Sequence, residues 1–234
     1  MIQAVTAHLI HQLNDAAIQS VPFPYFYMEN VFPDDFYAEL QENMPAFPVY
    51  EPISKVRNIK SPDGKPAYKD RFVISFSDGK TEISRFMQGV RSILFGQEFG
   101  SALLAKFGPV LQQRINGELE LGQDLTLIRD RQNYNLGPHT DHPNRLVVFL
   151  LYLANSDDNP DLGTSLYVPK DRDFVCDGGP HWPRENFDRK FTAPYRPNSA
   201  LGFVKTNNSF HGVEPVPGGA ERNLMQFFLG LTDG

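Results

Sequence analysis

After Gly117 the chain breaks into short apolar, β-prone runs: DLTLIRDR, RLVVFLLYL, TSLYVP, SALGFVKT and NLMQFFLGL, with turn residues between them. No helical period survives in these runs, so they read as strands that bury their apolar faces against one another. The first half has a different texture. From Ala4 to about Ile18, and again from about Lys80 to Ile115, apolar residues recur every three or four positions. Breaks near Gly96 and Gly108 divide the second stretch into two or three helices. Tyr25-Phe26-Tyr27, after Pro22 and Pro24, suggests a short strand, and Asp34 or Asp35 a helix start for FYAELQENM. Residues 50–79 are polar and rich in Pro, Gly and Lys, which reads as a loop or short surface strands. The class this implies is α+β, with helices buttressing a sandwich or jelly roll. The 234 residues suit one domain, 1–116 mainly helical support and 117–234 the jelly-roll core.

Composition removes several function classes. A hydrophobic share of 41% with 21% charged residues is ordinary for a globular chain and poor for a disordered one. The net charge of -6 argues against general nucleic-acid binding, which needs a basic surface. No apolar run reaches the roughly 18 residues that a bilayer span requires. The N-terminus, MIQAVTAHLIHQLNDAA, reads as an amphipathic helix and not as a secretory leader. Cys176 stands alone and reads as an incidental thiol, so no oxidising compartment is needed and a cytoplasmic location is expected.

His139-Thr140-Asp141 stands just before the run RLVVFLLYL. Residues two apart in an extended chain project to one face, so an imidazole and a carboxylate converge there. Only six histidines could supply a third ligand. His8 and His11 lie on the first helix, His142 points to the opposite face, and His181 sits in a polar Gly/Pro-rich loop. His211, after SALGFVKT and a turn, is the best placed. Two His and one carboxylate on one face of an octahedral ion leave three positions open, which suits Fe(II) with a bidentate keto acid and dioxygen. A structural zinc site on thiolates is excluded by the single cysteine. Arg222 opens the run RNLMQFFL, eleven residues after His211. Its guanidinium fork suits the distal carboxylate of 2-oxoglutarate. His142 and Arg145, beside the metal loop, are candidate substrate contacts.

HTDHPNRLVVFLLYLAN, GTSLYVPKD, FHGVEPV and RNLMQFFL resemble the catalytic core of the Fe(II)/2-oxoglutarate-dependent dioxygenases, in the prolyl-hydroxylase-like branch. The resemblance covers residues 123–230; the N-terminal half matches loosely through PFPYFYMENVFPDDFYAEL. It implies a double-stranded β-helix with iron at its open end and helices packed outside. It also implies that Tyr152, in YLAN, hydrogen-bonds the distal carboxylate. The expected reaction hydroxylates an unactivated C–H bond of a small molecule or a peptidyl side chain, releasing succinate and CO2. In related halogenases a small residue replaces the carboxylate, so Asp141 favours hydroxylation or another oxidation. Gly163-Thr164 stands where the family usually has Gly-Gly, and Leu224 where an Arg-x-Ser variant has Ser. The segment between Pro169 and Pro197 exceeds a minimal core and reads equally as a lid or a surface excursion. The competing reading is a cupin-like metal-binding protein without oxygenase activity, which would need neither Arg222 nor Tyr152. A metal-dependent hydrolase or isomerase on the same fold would need only a metal-bound water.

Overall fold

The computed structural model describes residues 1–56, 68–77, 83–112, 120–179 and 181–232. Its first half runs α1 (Ile2–Asp15), β1 (Tyr25–Glu29), α2 (Asp34–Glu42), β2 (Glu51–Pro52), α3 (Ile53–Val56), β3 (Arg71–Ser75), α4 (Arg85–Leu94), α5 (Gln97–Lys106) and α6 (Gly108–Leu111). Then follow β4 (Leu121–Asp130), β5 (Leu136–His139), β6 (Arg145–Tyr152), β7 (Thr164–Pro169), β8 (Phe187–Thr192), β9 (Ser199–Val204), β10 (His211–Val213) and β11 (Arg222–Leu231). The helices break at Gly96 and Gly108 as the periodicity predicts. Residues 80–82 and 113–115 of that stretch lie outside the described residues, as do 57–67 and 78–79 of the expected surface segment.

Seven strands form one sheet in the order β1-β9-β6-β11-β4-β3-β2, and four form another, β5-β10-β7-β8. All the pairings are antiparallel. The pattern of β6 shows how they pack. Val147, Phe149 and Leu151 join one core with Leu9, Leu13 and Phe99 of the helices. Val148, Leu150 and Tyr152 join a second core with Leu136, Leu166 and Val213 of the smaller sheet. A strand covered on both faces reads as one continuous apolar run, which is why RLVVFLLY shows no alternation. Helix burial is substantial: Leu9 and Leu13 are wholly buried, each worth about 1.5–3 kcal/mol. Ser84 caps α4 by accepting from the Met87 amide at 3.2 Å, a bond worth about 1 kcal/mol.

The first half is more than a buttress, because β1, β2 and β3 extend the larger sheet at both edges. Phe26 of β1 lies opposite Gly202 of β9. A Cβ on Gly202 would stand 2.2 Å from the Phe26 ring, so only glycine lets that ring lie on the sheet. β3, inside the stretch expected to be surface loop or short strands, pairs with β4 and carries Arg71 into the interior.

Candidate active site

His139 ends β5 and His211 opens β10, and the two are direct cross-strand partners. Their rings lie 4.3 Å apart between centroids. Asp141 follows β5, with its Oδ2 3.5 Å from His211 Nε2. One donor atom from each of the three lies within 4.8 Å of the others. The ring orientations fit a metal. His139 Nδ1 is 3.1 Å from the Gly137 carbonyl, and His211 Nδ1 is 2.9 Å from the Ser209 carbonyl. A carbonyl only accepts, so each neutral ring carries its proton on Nδ1 and keeps the Nε2 lone pair free. Asp141 Oδ2 is buried and has no hydrogen-bond partner. An orphaned carboxylate oxygen beside two free imidazole lone pairs is costly without a cation, and this mixed N/O set suits a divalent first-row ion.

The loop bearing Asp141 is pinned from outside. Thr140 donates to the Cys176 carbonyl at 2.8 Å, and the Trp182 amide to the Pro138 carbonyl at 2.9 Å. Part of the long segment between β7 and β8 is thereby tied against β5, and its Gly179 forms cavity wall. His181 faces the His139 ring at 5.0 Å and is hydrogen-bonded through Nε2 to the Tyr68 hydroxyl.

Burial, then the His211 and His181 rings, hold His139 well below the ordinary imidazole range. Burial, then His211 and Arg71, bring His181 down to about 4. A depressed imidazole pKa means that the unfolded chain takes up the proton first. The associated stability is therefore whole above the ordinary value of 6.5 and declines as pH falls from there toward 4 and below. The melting temperature of the metal-free protein should fall across that window, and His181→Gln should flatten the slope. An unchanged slope in that variant would show that His181 contributes nothing to it.

A cavity of about 280 Å³ has the three donors in its wall together with Arg71, Thr164 and Arg222. Leu150, Leu224 and Phe228 supply apolar surface. Arg222 is 1% exposed; its Nε donates to the Leu162 carbonyl, Nη1 to Asp130 at 2.9 Å and Nη2 to the Thr164 hydroxyl at 3.0 Å. Arg71 forms a two-pronged pair with the same carboxylate, Nε to Oδ1 at 2.7 Å and Nη2 to Oδ2 at 2.8 Å. Burial works against the Arg71 charge, but Asp130 and then Tyr134 outweigh it, so its pKa is raised.

Of the residues singled out on sequence, His139, Asp141, His142, His211 and Arg222 all line this cavity. Tyr152 and Arg145 are not part of its wall. Tyr152 is buried behind Arg222, with its ring 5.6 Å from the guanidinium carbon and its hydroxyl accepting from the Thr164 amide at 3.0 Å. Arg145 lies over the Phe228 ring at 4.1 Å and pairs with Asp124 at 3.4 Å. Sequence reasoning missed Arg71, Asp130 and Thr164. Asp130 left a signal: it shares the parity of Ile128, which faces the inner core, so the alternation of β4 points a carboxylate inward.

No protein-family model and no curated protein sequence matches the chain. Solved structures do. A prolyl hydroxylase from Trichoplax adhaerens, in complex with a hypoxia inducible factor oxygen degradation domain peptide, superposes with a TM-score of 0.52 at 15% identity, covering 98% of this chain and 90% of that one. The fold is that of the 2-oxoglutarate/Fe(II) oxygenases. A Pseudomonas putida prolyl-4-hydroxylase matches with a TM-score of 0.52 at 13% identity, over 97% of this chain and 99% of its own. The epimerase SnoN, in complex with Fe3+, alpha ketoglutarate and nogalamycin RO, matches with a TM-score of 0.50 at 12% identity, over 97% and 84%. The α+β class, the jelly roll of two antiparallel sheets and the outer helices all agree with the sequence reading. Within this oxygenase fold the chain carries a His139/Asp141/His211 cluster of the facial-triad kind. No described helix is long and apolar enough to cross a membrane.

Proposed function

We propose that this protein is an Fe(II)- and 2-oxoglutarate-dependent oxygenase that hydroxylates an unactivated C–H bond. The observation that carries this reading is one cavity that holds both a two-His/one-carboxylate donor set and a buried arginine, in this fold. His139, Asp141 and His211 would hold the metal, and Arg222 the distal carboxylate of the keto acid. Iron, 2-oxoglutarate and dioxygen, when bound, would supply the oxidising chemistry, with one oxygen atom going to succinate as CO2 leaves and the other to the substrate C–H bond. The chain's own residues do the rest. Gly137 and Ser209 carbonyls fix the imidazole tautomers, and Asp141 balances part of the ion's charge. Thr164 and the Leu162 carbonyl hold the Arg222 fork in one plane. Tyr152, buried behind Arg222, backs the guanidinium with its ring and receives the Thr164 amide on its hydroxyl. Leu150, Leu224 and Phe228 keep water from the reacting centre. A cupin-like metal site without oxygenase activity would need no arginine to receive a distal carboxylate.

The substrate is a small molecule or a peptidyl side chain, met at the mouth where His142 and Gly179 stand. The need for no disulfide is consistent with a cytoplasmic setting. The test is anaerobic titration of the metal-free protein with Fe(II) and then 2-oxoglutarate. The keto-acid chelate should give a weak visible charge-transfer band, and normal metal loading without a band would refute the cosubstrate assignment. A product that gains one oxygen atom distinguishes hydroxylation from epimerisation. Arg222→Gln should weaken 2-oxoglutarate about 10- to 100-fold, the worth of hydrogen bonds to a charged group. Iron affinity should stay unchanged in that variant; a parallel loss of iron would remove the assigned role.

A further inference from the structure

We propose that Arg71, Asp130 and Arg222 form a single carboxylate receptor, in which Arg71 is a second ligand-binding cation and Asp130 a positioning residue. This rests on the cosubstrate reading above and deepens it: the receptor selects 2-oxo acids that carry a distal carboxylate. The three residues stand abreast at the ends of adjacent strands, since Asp130 is the register partner of Arg71 on one side and of Arg222 on the other. Both guanidinium groups bond the same Asp130 oxygen, Arg71 Nη2 at 2.8 Å and Arg222 Nη1 at 2.9 Å. Both residues line the same cavity as the metal donors.

Charge decides the matter. Arg222 and Asp130 alone would be a neutral pair, and a carboxylate brought to it would face Asp130 as well as the arginine. With side-chain exposures of 9% for Arg71, 1% for Arg222 and 0% for Asp130, water does little to screen that repulsion. Arg71 restores one net positive charge. Its Nη1 donates to no described residue, although Nε and Nη2 are both taken by Asp130. The Tyr134 ring, 4.3 Å from its guanidinium carbon, backs the group from one face. A divalent ion with one carboxylate ligand also keeps one net positive charge. Metal centre and receptor together thus match a dianionic keto acid, one charge at each end. A purely structural role for Arg71, locking β3 to β4, predicts no such selectivity.

The experiment measures anaerobic binding of 2-oxoglutarate and of 2-oxopentanoate to the Fe(II)-loaded protein by calorimetry. The second acid keeps the chelating end and lacks the distal carboxylate. Wild type should prefer 2-oxoglutarate, and Arg71→Gln should lose about 10- to 100-fold for it while 2-oxopentanoate is unchanged. Arg71→Lys should retain part of the preference. Arg71→Gln with Asp130→Asn should regain it, because Arg222 is then unopposed. A variant too unstable to titrate is read by the melting-temperature gain from each acid, where the advantage of 2-oxoglutarate should vanish in Arg71→Gln. An unaltered preference in Arg71→Gln, or no recovery in the double variant, overturns the proposal while leaving the oxygenase reading intact. Failure of the metal-loaded wild type to bind 2-oxoglutarate brings down both.

Discussion

Asp141→Ala is expected to lower metal affinity by more than about a hundredfold, beyond what loss of an outer-shell partner costs, while leaving the metal-free protein as stable as before or more so. The two effects have one origin. Asp141 Oδ2 is buried without a hydrogen-bond partner, 3.5 Å from His211 Nε2. In the metal-free protein that oxygen contributes only its desolvation cost, about 1–3 kcal/mol. Removing it relieves the cost and removes the one anionic donor of the cluster at the same time. His139→Ala and His211→Ala should also abolish tight binding, but each leaves a hole in packed surroundings and should lower the melting temperature. Thermal unfolding with and without Fe(II) separates the cases. Wild type should gain stability with metal and Asp141→Ala should gain none. A metal-dependent gain in Asp141→Ala equal to that of wild type would remove Asp141 from the donor set.

Gly163→Ala is expected to destabilise the protein by roughly 3 kcal/mol or more, the upper end for forced overpacking. Gly163 precedes β7, and a Cβ there would fall 1.6 Å from the Ala193 carbonyl oxygen and 2.7 Å from its carbon. Those atoms are main chain and have little room to yield. The Ala193 amide donates to the Thr164 carbonyl at 3.0 Å, and Ser165 pairs with Thr192 one step further along. For a chain of this length the loss corresponds to a fall in melting temperature of roughly 6–12 °C. It should reach the cavity too, because the flanking Leu162 and Thr164 both hold Arg222. Weakened 2-oxoglutarate binding should accompany the lower melting temperature. A melting temperature within about 2 °C of wild type would show that the β7–β8 end is far softer than its contacts imply.

Much of the architecture could be read from local pattern. The helix breaks at Gly96 and Gly108 and the five strand-like runs after Gly117 are properties of a few neighbouring residues. The structure places α5, α6 and β4, β6, β7, β9 and β11 accordingly. The stretch from 50 to 79 was less legible, because RFVISF is short and flanked by polar residues. Its conversion into β3 depends on a partner, β4, that lies far along the chain. Arg145 shows the same limit from the other side. Proximity in sequence to the metal loop suggested a substrate contact, but only the structure shows its pairing with Asp124 and its place over the Phe228 ring.

His139, Asp141 and Arg222 were visible in the sequence because each belongs to a short pattern: two residues on one face, or a cation opening a strand. His211 followed by elimination among six histidines. The tertiary structure decided what those patterns could not. It made His139 and His211 cross-strand partners, set Tyr152 behind Arg222, and brought Arg71 and Arg222 to one carboxylate from 59 and 92 residues away. Periodicity is a local property of the chain. Strand order and register are fixed by burial across the whole sheet, so which charges become neighbours is settled only when the sheet closes.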